Sequence, residues 1–193
     1  CGPAYDEKTR KTARAVAQLL GRAGVSYAIL GEEETCTGDP ARRAGNEFLA
    51  QMLAQTNVEV LNGYGVKKII TICPHCYNTL KNEYGDFGGH YELAHHTQVL
   101  ADLVQAGRLK PQQRVEAKLV YHDACYLGRH NGEYDAPRRV LGAIPGVELL
   151  EAPASRDRGM CCGAGGAQFF KEEEPGNERV NVARTEQLLA TGA

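Results

Sequence analysis

The spacing of the cysteines constrains this chain more than any other sequence feature. Seven cysteines are spread over 193 residues, as single residues or close pairs separated by nearly constant intervals. An odd number cannot close a complete set of disulfides, and a chain without a secretion-signal pattern is a poor candidate for structural disulfides. We therefore interpret them as buried thiols, redox thiols or metal ligands. They are Cys1, Cys36, Cys73, Cys76, Cys125, Cys161 and Cys162.

The cysteine intervals repeat along the chain. There are 34 residues between Cys1 and Cys36, and 35 between Cys125 and Cys161. A shift of 124 residues superposes the first member of each pair, and a shift of 125 superposes the second. A repeated interval of this kind indicates a duplicated module.

Helical and strand patterns alternate around the cysteines, which predicts an α/β fold. Apolar residues from Ala13 to Leu20 recur at helical spacing, and Asp39-Pro40 has the features of a helix start. Short apolar runs predict buried strands. The predicted helices cover 13–20, 41–61 and 136–143, and the predicted strands cover 25–30, 69–72, 119–121 and 147–151.

We expect two pseudo-repeated βαβ-type halves that face each other, a first module at 1–110 and a second at 111–193. Cysteines at the carboxyl ends of parallel strands would gather at one edge of each sheet. The second module stops before its own C-x-x-C, which we expect just beyond Ala193. No strand precedes Cys1, so the sequence is interpreted as a fragment of a longer protein.

Composition excludes several function classes. Lys and Arg total 22 and Asp and Glu total 24, a formal net charge of −2, so no basic surface for nucleic acid is expected. No apolar run has the length of a membrane span. We expect a cytoplasmic protein, with a parent that can still associate with the cytoplasmic side of a membrane.

Two sets of motifs carry the most specific signal. The first set is Cys1, Cys36-Thr37-Gly38 and Cys73-Pro74-His75-Cys76; the second is His122-Asp123-Ala124-Cys125-Tyr126-Leu127-Gly128 and Cys161-Cys162-Gly163-Ala164-Gly165-Gly166. Together they resemble the cysteine-rich CCG domain of heterodisulfide reductase catalytic subunits and of the glycolate oxidase iron–sulfur subunit. The resemblance covers essentially the whole chain.

The resemblance implies an iron–sulfur oxidoreductase subunit that binds [4Fe-4S] clusters through its cysteines. Electrons would arrive singly from a partner subunit with ferredoxin-type clusters or flavin. They would pass to or from a small acceptor, which is a disulfide, a quinone or a 2-hydroxy acid system. All seven cysteines are the implied cluster ligands. The implied catalytic set is Cys125, Cys161 and Cys162 around a non-cubane cluster, with His122 as a hydrogen-bond donor or proton shuttle.

The first copy departs from the full motif because Thr37 occupies the place of the second cysteine. It therefore offers four ligands, which suit a cubane [4Fe-4S] cluster or a tetrahedral zinc ion. They are Cys1, Cys36, Cys73 and Cys76. An alternative function is thus a zinc-stabilised or electron-relay module without its own catalysis.

A second alternative rests on Cys73-Pro74-His75-Cys76 alone. A C-x-x-C at a strand-to-helix turn is also a thiol–disulfide exchange motif. This hypothesis leaves the other five cysteines without a role. Arginines beside the cysteines, among them Arg43, Arg129 and Arg138, are candidates for binding an anionic substrate.

Overall fold

The computed structural model describes residues 7–172 and 175–193. Cys1, one of the expected ligands, lies outside these residues. The helices are α1 (Glu7–Arg22), α2 (Asp39–Arg43), α3 (Glu47–Gly63), α4 (Pro74–Asn82), α5 (His96–Gln105), α6 (Asp135–Gly142) and α7 (Val180–Leu189). The strands are β1 (Lys68–Thr71), β2 (Glu92–His95), β3 (Ala117–Val120) and β4 (Val147–Leu150). Short 3-10 turns occur at Gly31–Glu33, Tyr84–Phe87, Arg156–Arg158 and Gln168–Phe170.

Each half contains one parallel two-stranded sheet. β1 pairs with β2 from Lys68↔Glu92 to Thr71↔His95, and β3 pairs with β4 from Ala117↔Val147 to Val120↔Leu150. Parallel neighbours require a crossover, which α4 provides in the first half and α6 in the second. The prediction of an α/β fold with two βαβ halves is confirmed.

The first sheet is covered on both faces. Along β1, Ile69 packs into one apolar cluster, whereas Ile70 packs into the other, because alternate strand residues point to opposite faces. One cluster joins α1 to α5 through Val16, Leu20, Ala23 and Leu103. The other joins α3 to α4 through Ala54, Val58, Leu80 and Tyr84. These layers hold the carboxyl end of β1 in a fixed place.

The two halves meet along α5 and α6, which pack against each other. Polar side chains bridge the same boundary. Gln98 Nε2 donates to Glu133 Oε2 at 2.7 Å, and Asn82 Nδ2 donates to Asn131 Oδ1 at 3.1 Å. The loop after β3 is thereby held beside the end of α4.

Two of the predicted elements are corrected. Val25–Leu30 is not a strand, and Ile29 is 78 % exposed; an apolar run alone does not ensure a pairing partner. The predicted helix at 41–61 is two helices, because Gly45 adopts φ +87° and Asn46 starts α3 by accepting the Leu49 N–H at 3.1 Å. β2 was not predicted. No helix within the described ranges is long and apolar enough to cross a membrane.

Candidate functional site

The C-x-x-C segment lies where β1 leads into α4. Cys73 caps the helix with extended backbone (φ −105°, ψ 123°), and Pro74 takes the first helical position, where a missing N–H is harmless. The first turn brings Cys76 back to Cys73. The hydrogen bond between the two thiols lowers the pKa of Cys76 to about 6 and raises the pKa of Cys73. Two thiol groups are therefore close enough to share one proton.

The turn around Thr37 lies beside this pair. Thr37 Oγ1 donates to Cys76 Sγ at 3.5 Å, and the hydroxyl of the fully buried Tyr84 donates to the Thr37 carbonyl at 3.2 Å. Burial raises the pKa of Tyr84, and the nearby Cys76 and Cys36 raise it further. Three of the four expected ligands of the first half, namely Cys36, Cys73 and Cys76, are thus gathered in one place.

The backbone of this turn packs closely against α3. Gly38 has φ +88°, and a Cβ added there would lie 2.9 Å from the Ala50 carbonyl oxygen. Both conditions favour glycine. The amide of Asn57, also on α3, donates to the Cys36 carbonyl at 2.9 Å and to Tyr84 Oη at 3.1 Å. The backbone that carries Cys36 is therefore held rigidly.

The three cysteines of the second half also come together. Burial raises the pKa of Cys125, and the neighbouring Cys162 and Cys161 raise it further. Cys161 Sγ accepts the Gly163 N–H at 3.3 Å. Cys125 begins a turn instead of ending a strand. The sequence predicted that each cysteine follows directly on a strand. Within the described part of the chain this holds only for Cys73, because the loops that lead to the other cysteines are longer than predicted.

Cys162 receives more hydrogen bonds than its neighbours. The hydrogen bond from His122, together with backbone N–H groups of Ala164 and Gly165, lowers the pKa of Cys162 to about 6. Donors that converge on a sulfur stabilise its thiolate form. This loop is therefore built to hold a negatively charged sulfur.

The glycine after Cys162 sets the position of the loop. Gly163 has φ +75°, and a Cβ there would lie 3.1 Å from the Asn181 backbone nitrogen. The loop thus lies directly against the first turn of α7. In the same region Arg184 of α7 donates from Nε to His122 Nδ1 at 3.0 Å.

His75 lies between the two cysteine groups. Its Nδ1–H donates to Asp39 Oδ2 at 2.8 Å, and its ring centroid is 4.2 Å from that of Tyr126 in the second half. A Cβ added to Gly165 would lie 3.3 Å from His75 Cε1. The Asp39 hydrogen bond raises the pKa of His75, and Cys73 and Cys162 contribute in the same direction. The His75 ring therefore lies beside both cysteine groups.

The arginines that were candidates for an anionic substrate are already paired within the protein. Arg138 binds both Asp123 oxygens, at 2.7 and 2.9 Å, and also binds Glu151. Arg129 donates to the Asp157 and Gly159 carbonyls. Arg43 donates to Asp39 and to Glu83. These three guanidinium groups hold loops and helices together through hydrogen bonds within the protein. The prediction that they bind an anionic substrate is therefore not supported.

Comparison with known proteins places this arrangement in a family. The sequence matches the cysteine-rich domain called CCG over residues 1–81 and 119–193. The chain belongs to this family. Because the CCG match falls in two segments, one in each βαβ half, the duplication predicted from the cysteine spacing is supported as well.

Several relatives of this CCG chain are named as redox proteins. It is 56 % identical over 186 residues to the probable iron-sulfur-binding oxidoreductase FadF of Bacillus subtilis, covering 96 % of this chain and 26 % of that protein. It is 49 % identical over 195 residues to the EtfAB:quinone oxidoreductase of Syntrophomonas wolfei (98 % and 27 %). It is 41 % identical over 158 residues to a subunit of the dihydromethanophenazine:CoB–CoM heterodisulfide reductase of Methanosarcina barkeri (79 % and 39 %). No solved structure matches the chain.

The chain therefore spans only about a quarter to two fifths of the length of these relatives. The names of the relatives imply an iron–sulfur centre. Within residues 7–172 and 175–193, no three His, Cys, Asp or Glu side chains are placed to hold a single metal ion. Cluster ligands bind different irons and lie further apart, so this wider gathering of Cys125, Cys161 and Cys162 fits a cluster. The N–H donors on Cys161 and Cys162 fit it as well.

Sequence reasoning missed Arg184 and Asp39 as parts of the site. Arg184 is 62 positions from His122 in the chain, and Asp39 is 36 positions from His75. One signal was available for the arginine. It falls on the inward stripe of α7 with Gln187 and Leu188, where a charged residue is unusual.

Proposed function

We propose that the chain is the cysteine-rich part of an iron–sulfur oxidoreductase and carries two electron-transfer centres. The observation that carries the proposal is the loop at Cys161 and Cys162, where a histidine and three backbone N–H groups converge on two sulfurs. Such donors suit thiolate ligands and raise the reduction potential of a cluster. The names of the relatives support the same conclusion.

The first centre would use Cys1, Cys36, Cys73 and Cys76 and hold a cubane [4Fe-4S] cluster. The second would use Cys125, Cys161 and Cys162. A non-cubane [4Fe-4S] cluster is proposed there, and it would supply electrons one at a time to an acceptor.

The protein's own residues would organise this second centre as the catalytic one. His122 would hold its N–H on Cys162, and the Gly163 turn would fix both sulfurs against α7. His75 would lie between the two centres, since Cys73 and Cys162 both raise its pKa and a Cβ on Gly165 would meet its ring.

The acceptor would be a small molecule reduced by two electrons and two protons. A disulfide would give two thiols, and a quinone would give a quinol. A 2-hydroxy acid system would run in the opposite sense and donate electrons. The donor would be a partner subunit with ferredoxin-type clusters or flavin, since relatives are named for EtfAB and as a reductase subunit. We place the reaction in the cytoplasm, where thiols stay reduced.

A second candidate function applies to the first centre. Thr37 stands where the full motif has a cysteine, so the thiolate set there is reduced to four. A tetrahedral zinc ion takes four thiolates without redox chemistry, and among the described residues Cys36, Cys73 and Cys76 would have to draw closer together to bind one ion. The first half would then be a stabilising module beside a single electron-transfer centre.

The test is a metal analysis of the full-length protein purified without oxygen. Iron, acid-labile sulfide and zinc are measured together with EPR spectra of oxidised and reduced samples. The proposal expects a cluster signal that Cys161→Ala removes, whereas Thr185→Ala on the exposed side of α7 leaves it unchanged. Zinc equal to one per chain beside a smaller iron content would select the zinc alternative for the first half. No iron in any preparation would end the proposal.

A further inference from the structure

Arg184 is a buried cation that forms no ion pair with any residue in the described part of the chain. It is 2 % exposed, and burial lowers its pKa although the charge of Asp123 acts in the opposite direction. Among the described residues it makes no ion pair within salt-bridge distance, and its Nη2 has no hydrogen-bond partner. A charge is costly to bury without compensation. Its position therefore calls for a functional reason.

The contacts of Arg184 point to one neighbour. Its Nη1 donates to the Ala154 carbonyl at 3.0 Å and to Gln187 on its own helix. Its Nε donates to His122 Nδ1 at 3.0 Å. The first two contacts hold the side chain in place. The third reaches a residue that touches the candidate centre.

The chemistry of the two groups fixes the state of His122. A guanidinium has only donors, so it can bond to His122 Nδ1 only if that nitrogen is an acceptor. A neutral imidazole with an acceptor at Nδ1 carries its hydrogen on Nε2. The ring also lies beside Cys162, whose pKa His122 lowers. The Nε2–H is the donor left for that sulfur.

We propose that Arg184 is a positioning residue that holds His122 in the Nε2–H tautomer and directs that N–H to Cys162 Sγ. The effect of this hydrogen bond on electron transfer rests on the function proposed above for the second centre. A donor held on a ligand sulfur stabilises the more negative, reduced centre more than the oxidised one. Reduction then becomes easier, and the potential rises.

Two substitutions at each position separate this role from a structural one. Arg184→Met removes the donor at nearly the same length, whereas Arg184→Lys keeps a donor. His122→Gln places an amide N–H near the position of Nε2, whereas His122→Asn places its amide near Nδ1, away from the sulfur. Thr185→Ala on the same helix is the matched control.

The first measurement is the reduction potential of the second centre in the full-length protein, by EPR-monitored redox titration. We expect Arg184→Met and His122→Asn to lower the reduction potential by up to about 59 mV. For a one-electron couple this corresponds to a tenfold change in the equilibrium constant for reduction. His122→Gln and Thr185→Ala should stay near wild type, and Arg184→Lys should recover most of the shift.

The decisive variant combines Arg184→Met with His122→Gln. Glutamine has no tautomer to hold, so the arginine substitution should cause no further shift in that background. An undiminished shift would mean that Arg184 acts directly through its charge and would overturn the proposal. No shift in the single Arg184→Met variant would overturn it as well.

A second measurement does not need the cluster. Long-range ¹H–¹⁵N NMR of ¹⁵N-histidine-labelled, metal-free full-length protein reports which ring nitrogen carries the hydrogen, and His122→Gln assigns the signal. We expect Nε2–H in wild type and a mixture of tautomers in Arg184→Met. A wild-type ring protonated on Nδ1 would refute the inference. If the protein held no iron, the proposed function would fail, yet this measurement would still decide the role of Arg184.

Discussion

The two cysteine turns share a backbone design and differ in what one side chain does. Gly38 and Gly163 both have positive φ, +88° and +75°, and each lies against a helix too closely to carry a side chain. The residue before each glycine differs. Thr37 donates a hydrogen bond to the sulfur of Cys76, whereas Cys162 accepts hydrogen bonds from a histidine and two backbone N–H groups.

The contrast shows how one fold can carry two kinds of centre. The backbone of the turn is kept, so the same geometry is available in both halves. In the first half a hydroxyl stands where the second half has a thiol, and it donates a hydrogen bond to the sulfur of Cys76. In the second half the sulfur is retained and surrounded by donors. The second turn is thus the better candidate for the reactive centre.

The strongest effect is expected on iron content, when the side chains of Cys162 and Thr37 are removed in separate variants. Cys162→Ala should remove most of the iron bound by the second centre, because a ligand and its donor network are lost together. Thr37→Ala should leave that centre intact and alter only the first. Iron content and EPR of the two full-length variants check this. Equal iron loss in both would show that the two turns do not differ in the way described.

A second large effect is expected at the buried acid of the second half. Asp123 and Arg138 form a bidentate pair whose side chains are almost fully buried. Arg138 would keep Glu151 as a partner, but Asp123→Asn would remove its two charge-assisted hydrogen bonds to the buried carboxylate, so it should lower the local free energy of unfolding by about 1–3 kcal/mol. Hydrogen–deuterium exchange of peptides that cover α6 and β4 measures it.

Asp135→Asn is the matched control for that measurement, since its carboxylate is exposed and pairs with the exposed Arg156. Its effect should be below about 1 kcal/mol. A similar loss in both variants would show that the Asp123–Arg138 pair does not hold the loops.

The two glycines provide the next test of the shared design. Gly38→Ala and Gly163→Ala should each reduce local stability by about 1–3 kcal/mol, because alanine is strained at positive φ and its Cβ meets backbone atoms. The effect should be larger at Gly38, where the contact would be 2.9 Å against 3.1 Å at Gly163. Hydrogen-exchange rates of the two turns show which variant loses more stability. Gly132 also has positive φ but has open space around an added Cβ, so Gly132→Ala measures the cost of the backbone strain without the close contact.

The weakest effect is confined to acid. Burial alone would raise the pKa of Asp39, but hydrogen bonds from His75 and Arg43 bring the pKa below its ordinary value. A carboxyl group with a lowered pKa in the folded state contributes stability above its unfolded pKa and loses it as pH falls through the folded value. The protection of the α2 amides from exchange, taken relative to the intrinsic rate at each pH, should therefore fall below about pH 4.

Asp39→Asn should lower the local stability of α2 near neutrality and flatten its dependence on acid, because the stabilising carboxylate is gone at every pH. Glu47→Gln, an exposed acid in the next helix, should keep the acid dependence of the wild type. If both variants retained it, another group would be responsible.

Much of the fold followed from local pattern. Regular apolar spacing predicted α1, whose buried stripe includes Val16 and Leu20. The short runs at 69–72, 119–121 and 147–151 matched strands to within about two residues. β2 escaped prediction because Glu92–His95 has only two apolar residues. It is a strand because β1 offers it a parallel partner, and that is a property of the assembled sheet.

The candidate site was predictable in part for the same reason. Cysteines are recognisable by their rarity and spacing, so the sets around Cys73 and Cys161 could be proposed from the sequence. Their partners could not. Asp39 and Arg184 have ordinary sequence surroundings, and His75, although it lies inside the C-x-x-C motif, meets Asp39 and Tyr126 only across the fold.

The number of cysteines, their duplication and the short helices and strands that carry them are all visible in the amino-acid sequence. These features depend on residues close in the chain, whose spacing can be measured in one dimension. That His75 lies between two cysteine groups, and that Arg184 reaches His122, follows from the folded chain alone. Hydrogen bonds and burial depend on distance in space, and residues far apart in sequence reach one another only when helices and sheets pack together.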